Sequence, residues 1–359
     1  MLSNLKVVDL TRVLAGPLCT MMLGDLGARV IKVERPGAGD ETRGWGPPFD
    51  ERGQSAYFLS VNRNKKSIAA DLQDPRDREL LTRLIAEADV VVDNFLPGTL
   101  DKRGLGPSGF LARHPSLIWC TITGFGPDSR RPGYDFVIQA ECGWMAITGK
   151  PDGEPTKVGV ALADIMAGKD ATIAIMAALV RRARAGEGGH IGISLVQSAT
   201  AALVNVAQNV LVAGKEAGRW GNAHPNLVPY QLFECADRPV VVAVGSDAQW
   251  TACVRALSLE TLATDSRFAT NAGRLEHRAA IVSTLAERLR QDTAATWMER
   301  LAAAGVPCGV VKSVLEALSE VDASPLYGVA PSVPGMVRLA PPRLDEHGAE
   351  IRERGWSAF

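Results

Sequence analysis

The chain has 359 residues, 46% of them hydrophobic and 22% charged, with a formal net charge of −1. That length accommodates two domains and a sizeable core, and the near-neutral balance recruits neither nucleic acid nor a membrane surface as a partner. Cys19, Cys120, Cys142, Cys235, Cys253 and Cys308 are scattered without a CxxC pair, which argues against a zinc site and a disulfide framework and fits reduced thiols in a cytoplasm. The first residues, MLSNLKVVDLTRV, carry charges where a signal peptide needs an apolar core. No apolar run approaches the roughly 20 residues needed to cross a bilayer.

In chain order, β-like runs alternate with helical ones. A strand is expected over 6–10, a helix after Pro17 ending at Gly27, and a strand over 29–34. A strand over 67–72 precedes a helix opened by the Asp74-Pro75 cap pair, then come strands over 89–95 and 117–123. This alternation implies an α/β fold with a parallel sheet covered on both faces. An Ala/Val-rich helix is expected over 199–220, followed by the loop GNAHPNLVP. A second unit then opens with a hairpin of residues 230–235 and 240–244, continues through helices over 247–257, 274–289 and 293–304, and ends on a strand-like 306–311. The Pro-rich tail after Pro325 reads as a surface wrap.

One carboxylate stands out. Asp164 lies between Ala161-Leu162-Ala163 and Ile165-Met166-Ala167-Gly168, where a charge needs either a compensating partner or a chemical role. It also stands where a helix ending in basic residues at Gly186 would begin, so an N-cap is the structural alternative to a nucleophile.

Other candidates are weaker taken singly. Glu34 at the end of the second strand suits a ribose hydroxyl, but Leu10 to Pro17 lacks the G-x-G-x-x-G of a dinucleotide site, and Pro17 lacks a backbone donor. Arg35, Arg43, the Arg63-Asn64-Lys65-Lys66 run and Lys102-Arg103 recur at strand ends, as a phosphorylated ligand would require and as a solvated rim would also supply. His224 and Tyr230 open the second unit. For His224 an acid/base role competes with a loop side chain bonded to nearby backbone. The five histidines show no metal-ligand spacing, so no metal is expected.

The segments VVDLTRVLAGPLCTMMLGDLGARVIKVERPGAGDETRGW, NRNKKSIAADL, VVDNFLPGTLDKRGLG, GYDFVIQA, VGVALADIMAG and AGVPCGVV together resemble the class III CoA-transferases. That family includes carnitine CoA-transferase, formyl-CoA transferase and the α-methylacyl-CoA racemases. The resemblance implies a large Rossmann-like domain over 1–198 completed by 320–359, a linker over 199–225, and a smaller α+β domain over 226–319. It also implies an interlocked homodimer.

By position in its motif, Asp164 matches the transferase nucleophile and Tyr134 an active-site tyrosine. Val13 and Ala15 would lie along the CoA chain, Arg35 and Lys65 near its phosphates, and Asn94 and Phe95 near the pantetheine path. Lys102 and Arg103 would flank the phosphate position, where the family tends to set an arginine one residue earlier than Arg103. Arg43 is expected to hold a distal substrate carboxylate and His224 to touch substrate. The implied reaction passes CoA from an acyl-CoA, succinyl-CoA by resemblance to the diacid branch, to a small carboxylic acid, with no permanently bound cofactor. GNAHPNLVPY replaces the glycine-rich loop of the formyl-CoA branch, which argues against oxalate and formate. Racemases carry a histidine where Tyr134 stands, and a tyrosine, with its ordinary pKa near 10, exchanges protons poorly at neutral pH. A non-enzymatic acyl-CoA scaffold would keep the basic site without depending on Asp164.

Overall fold

The computed structural model describes residues 1–359, and the chain divides into two compact units. The first comprises Met1–Met145, Lys157–Glu216 and Leu318–Phe359; the second comprises Ala146–Thr156 and Ala217–Ala317.

Six parallel strands form the sheet of the first unit: β1 Lys6–Leu10, β2 Arg29–Glu34, β3 Lys65–Ala69, β4 Val90–Asp93, β5 Ile118–Thr123 and β6 Gly189–Ser194, in the order β3-β2-β1-β4-β5-β6. Every pairing is parallel. Because side chains alternate across a strand, Val7, Val30, Val90 and Ile118 enter one core with α1 (Ala15–Asp25) and the helix Leu162–Ala185. Val8, Ile31, Ile68 and Trp119 enter the other core, with the helices Pro75–Ala86 and Pro107–Arg113. Both faces are buried, which is why β1, β2 and β4 read as nearly continuous apolar runs.

Strand order reverses between β1 and β4. In such sheets ligands bind in the crevice at the carboxyl ends beside that reversal. The Asn94 side chain bridges it: its Oδ1 accepts the Arg12 N–H at 3.1 Å and its Nδ2 donates to the Arg12 carbonyl at 2.8 Å.

Several expectations are corrected. β6 was not read as a strand, because Gly189 and Gly192 interrupt it and it lies at the sheet edge with one face in solvent. The 199–220 stretch is not one helix: Leu195–Ala201 and Val204–Ala213 meet at 72°, and the first unit runs on through Glu216. No single helix is long and apolar enough to cross a membrane. The tail does more than wrap, since Ile351, Trp356 and Ala358 are buried in the core under β1–β3. Asn64 anchors the approach to it, accepting the N–H groups of Arg338 and Leu339.

The second unit has an antiparallel sheet of Tyr230–Phe233, Val240–Ala243 and Cys308–Val310. Trp250, Trp297, Leu285 and Leu301 fill its core, under the helices Asp247–Ala256, Arg278–Leu289 and Ala294–Ala303.

The helix Leu162–Ala185 crosses α1 at Gly168, where a Cβ would stand 2.6 Å from the Ala15 carbonyl oxygen. Alanine gains up to ~1 kcal/mol in helix propensity, but a backbone oxygen cannot rotate away, and overpacking of this kind costs about 1–3 kcal/mol. Gly168→Ala is therefore expected to lower the urea midpoint. A midpoint at or above that of the native chain would contradict this packing.

Candidate active site

Asp164 is the third residue of Leu162–Ala185, one turn before the Gly168 contact. That contact fixes it beside the start of α1. It lines one cleft with Val13, Ala15, Asn94, Phe95, Arg131 and Tyr134, and the side chain is only 8% exposed.

The N-cap alternative is excluded by geometry. The cap residue is Ala161, with no side-chain cap bond, and the Ala163 N–H is accepted by Asp135 at 2.8 Å. Asp135 thus takes the capping role, held from behind by the Gln139 amide at 2.7 Å. Sequence reasoning passed over Asp135; its one signal was its place beside Tyr134 at the start of a helix.

Burial first, and then the negative charge of Asp135, push the Asp164 carboxyl up from 3.8 to about 7. A helix N-terminus favours an ionised carboxylate, but by no more than ~2 kcal/mol, or about 1.5 pKa units, so desolvation prevails. A carboxylate whose pKa burial raises this far is poorly solvated when ionised and correspondingly nucleophilic. Tyr57, in the short helix Ala56–Leu59, responds to the same surroundings. Burial, then Asp164, Asp135 and Asp40, push its phenol up to about 12, so it remains a proton donor.

The loop between β1 and α1 is held from beneath. Lys32 Nζ donates to the Thr11 carbonyl at 2.9 Å and to Asp40 at 3.0 Å, while both Asp40 oxygens accept the Val13 N–H at 3.3 Å. Val13 adopts φ 71°, a left-handed conformation that a β-branched residue takes only under constraint. The strain lies at the wall of the cleft that holds Asp164.

An adjoining cleft is lined by Arg12, Glu34, Arg35, Asp40, Phe95 and Arg103, and shares Arg12 and Phe95 with the first. Arg35 is exposed there. Arg103 faces it from the turn Asp101–Arg103, whereas the exposed Lys102 lies outside its lining.

Three site expectations are corrected. Lys65 does not reach a ligand: it is fully buried, and its three protons go to Asp9, the Pro17 carbonyl and Asn62. Arg43 is not available to a substrate carboxylate, because its guanidinium is forked onto Glu34, bonded to Gln54 and the Pro342 carbonyl, and stacked 3.7 Å from Phe58. His224 lies in the second unit, its Nδ1 accepting the Asn226 N–H at 3.0 Å and its ring against Tyr230. The loop-bonded role is the one its geometry shows.

The sheet sets the buried Asp164 carboxyl and basic groups in adjoining clefts beside the strand reversal, and the loop after β1 lacks the glycine fingerprint of a dinucleotide-binding dehydrogenase. The chain belongs to CoA-transferase family III, whose model matches residues 2–327, and it is a CoA-transferase. It is 46% identical over 322 residues to a succinyl-CoA:glutarate CoA-transferase of Mus musculus, covering 89% of this chain and 74% of that one. It is 42% identical over 330 residues to a succinate–glutarate CoA-transferase of Agrobacterium fabrum, covering 89% and 82%. A CAIB/BAIF family protein from Brucella suis superposes with a TM-score of 0.86 at 44% identity, over 98% of both chains.

The raised Asp164 pKa has two measurable consequences. Since its folded value lies above the unfolded one, the folded chain holds the extra proton, and this group's contribution to stability falls as pH rises from about 4 to about 7. Asp164→Asn is expected to be more stable than the native chain by on the order of 2–4 kcal/mol at pH 8, and nearly equal near pH 4. Equal unfolding midpoints at pH 8 would contradict the burial of charge. Asp135→Asn keeps the cap acceptor and removes the neighbouring charge, so the rising limb of the kcat/KM profile, expected near pH 7, should move to lower pH.

Proposed function

We propose that the enzyme moves CoA from succinyl-CoA to a small dicarboxylic acid through covalent intermediates on Asp164. The observation that carries this reading is the buried Asp164 carboxyl at about pKa 7, in one cleft with Tyr134. The relatives named for succinyl-CoA and glutarate support the substrate class.

An Asp164 oxygen attacks the thioester carbonyl, the C–S bond breaks, and the CoA thiolate leaves with the electron pair. The thiolate then attacks the aspartyl carbonyl of the mixed anhydride, forming the aspartyl-CoA thioester and releasing the donor acid. An acceptor carboxylate reverses both steps and restores Asp164. No proton and no redox equivalent is consumed, so the cycle requires no general base and no resident cofactor. In this reading CoA runs along Val13 and Ala15 past Asn94 and Phe95, its phosphates toward Arg35 and Arg103. Tyr134, in the same cleft as Asp164, faces the reacting carboxylates.

The same reading includes a homodimer of interlocked chains. Its support is the helix Val204–Ala213, which buries none of its own residues while Val204, Leu211 and Val212 stand exposed at 69%, 75% and 78%. An apolar helix face of that kind calls for a covering partner.

Asp164→Asn retains shape and loses the attacking anion, so transfer should fall by at least ~10³-fold while CoA-ester binding persists. Incubation with donor alone should leave a hydroxylamine-labile adduct on the Asp164 peptide. Near-native transfer by the variant would refute the mechanism, and α-hydrogen exchange without acyl transfer would favour a racemase. Light scattering should give twice the chain mass; a folded, active monomer would refute the dimer.

A further inference from the structure

A diacid presents a second carboxylate that must be met by a cation inside the cleft where the first one reacts. Two cations line the Asp164 cleft, Arg12 and Arg131. Arg12 also lines the adjoining basic cleft, lies over Phe95 at 5.6 Å and is paired with Glu41. It therefore belongs as much to the phosphate side as to the acid side.

Arg131 belongs to the acid side alone. It precedes Tyr134 by three residues on a segment clamped to the end of β5, since a Cβ on Gly133 would stand 2.6 Å from the Gly124 Cα, and the reverse contact would be 2.7 Å. Its guanidinium stacks 4.0 Å from the centroid of Phe125, the residue after Gly124. Backbone contact and ring stacking together hold a planar cation at one edge of the cleft. Its two terminal nitrogens are forked onto Glu141, at 2.6 and 3.2 Å. That pair is solvent-exposed, at 58% and 42%, and exposed pairs are weak enough to be exchanged.

We propose that Arg131 receives the remote carboxylate of the diacid, and that Glu141 occupies the guanidinium fork until substrate displaces it. The inference rests on the diacid reading. It makes Glu141 a built-in competitor: an acid with a second carboxylate displaces it, and an acid with an apolar tail has nothing to offer the fork. Discrimination between diacid and monoacid then resides in one exchangeable ion pair.

The readout is the ratio of kcat/KM for glutarate to that for pentanoate, measured with one acyl-CoA donor so that donor effects cancel. In Arg131→Met this ratio should drop by about tenfold or more, the worth of a charged hydrogen-bonded pair, with Arg131→Lys in between. In Glu141→Gln it should rise, through a lower KM for glutarate. Arg12→Met should depress both acceptors alike and leave the ratio in place. Donor-dependent labelling of Asp164 in each variant verifies an assembled site. If the native enzyme does not favour glutarate, the diacid reading fails. If it does, and Arg131→Met keeps the preference or Arg12→Met abolishes it, the assignment to Arg131 is overturned while the diacid reading stands.

Discussion

Two ion pairs with no solvent exposure, Lys32–Asp40 and Lys65–Asp9, lie beneath the carboxyl ends of β1 and β2, and the geometry of the cleft depends on them. Charges in such a place are tolerated only when every lone pair and proton is used. Asp9 accepts from the Thr11 N–H and hydroxyl, the Thr20 hydroxyl and Lys65. Burial would raise its pKa, but Lys65, Lys32 and the two threonine hydroxyls outweigh it and bring Asp9 down to about 2. Lys65 moves the other way from a simple pair: burial, the larger cause, brings it down to about 8 despite Asp9. Both remain charged at neutral pH. Because these groups bond the backbone of Thr11 and Val13, the network shapes the loop that forms the wall of the active site.

That rigidity carries the strain of Val13 and allows Asp164 to remain awkwardly solvated. A flexible wall would admit water and lower the Asp164 pKa toward that of an ordinary carboxyl. The close contact at Gly168 serves the same end from the opposite side, locking the first turn of Leu162–Ala185 against α1. The strain at Val13 and the buried charge at Asp164 persist because the surrounding contacts over-determine their positions.

How much of this was legible in the sequence follows from the range of each interaction. Local chemistry read well. β1 and β2 fall on the expected residues, Asp74 caps its helix through the Arg76 N–H, and Gly186 ends the long helix at φ 77°. The residues flanking Asp164 favour a cap over a nucleophile, and what removes the cap is Asp135, 28 residues before the Ala163 N–H that it accepts. Lys65 and Arg43 looked like members of a basic rim because a charge shows no address in sequence. Their partners are Asp9, 56 residues back, and the Pro342 carbonyl, 299 residues on. Edge strand β6 escaped notice for a different reason: His190 and Gly192 are exposed and two glycines interrupt it, so the apolar run that marks an interior strand is missing.

The fate of the arginines suggests a physical criterion for reading such sites. Arg43, Arg63 and Arg274 each satisfy carboxylates and backbone carbonyls in buried or nearly buried surroundings, and removing any partner would strand a charge at a cost of several kcal/mol. Such cations are structural however basic the motif around them appears. A cation that must bind and release an anionic substrate in each turnover needs a fixed position and a cheaply displaced counterion. Arg131 has both, the first from Phe125 and the Gly124–Gly133 contact, the second from an exposed glutamate. Exchangeability of the partner, rather than positive charge or motif, separates an arginine that builds this fold from one equipped to serve it.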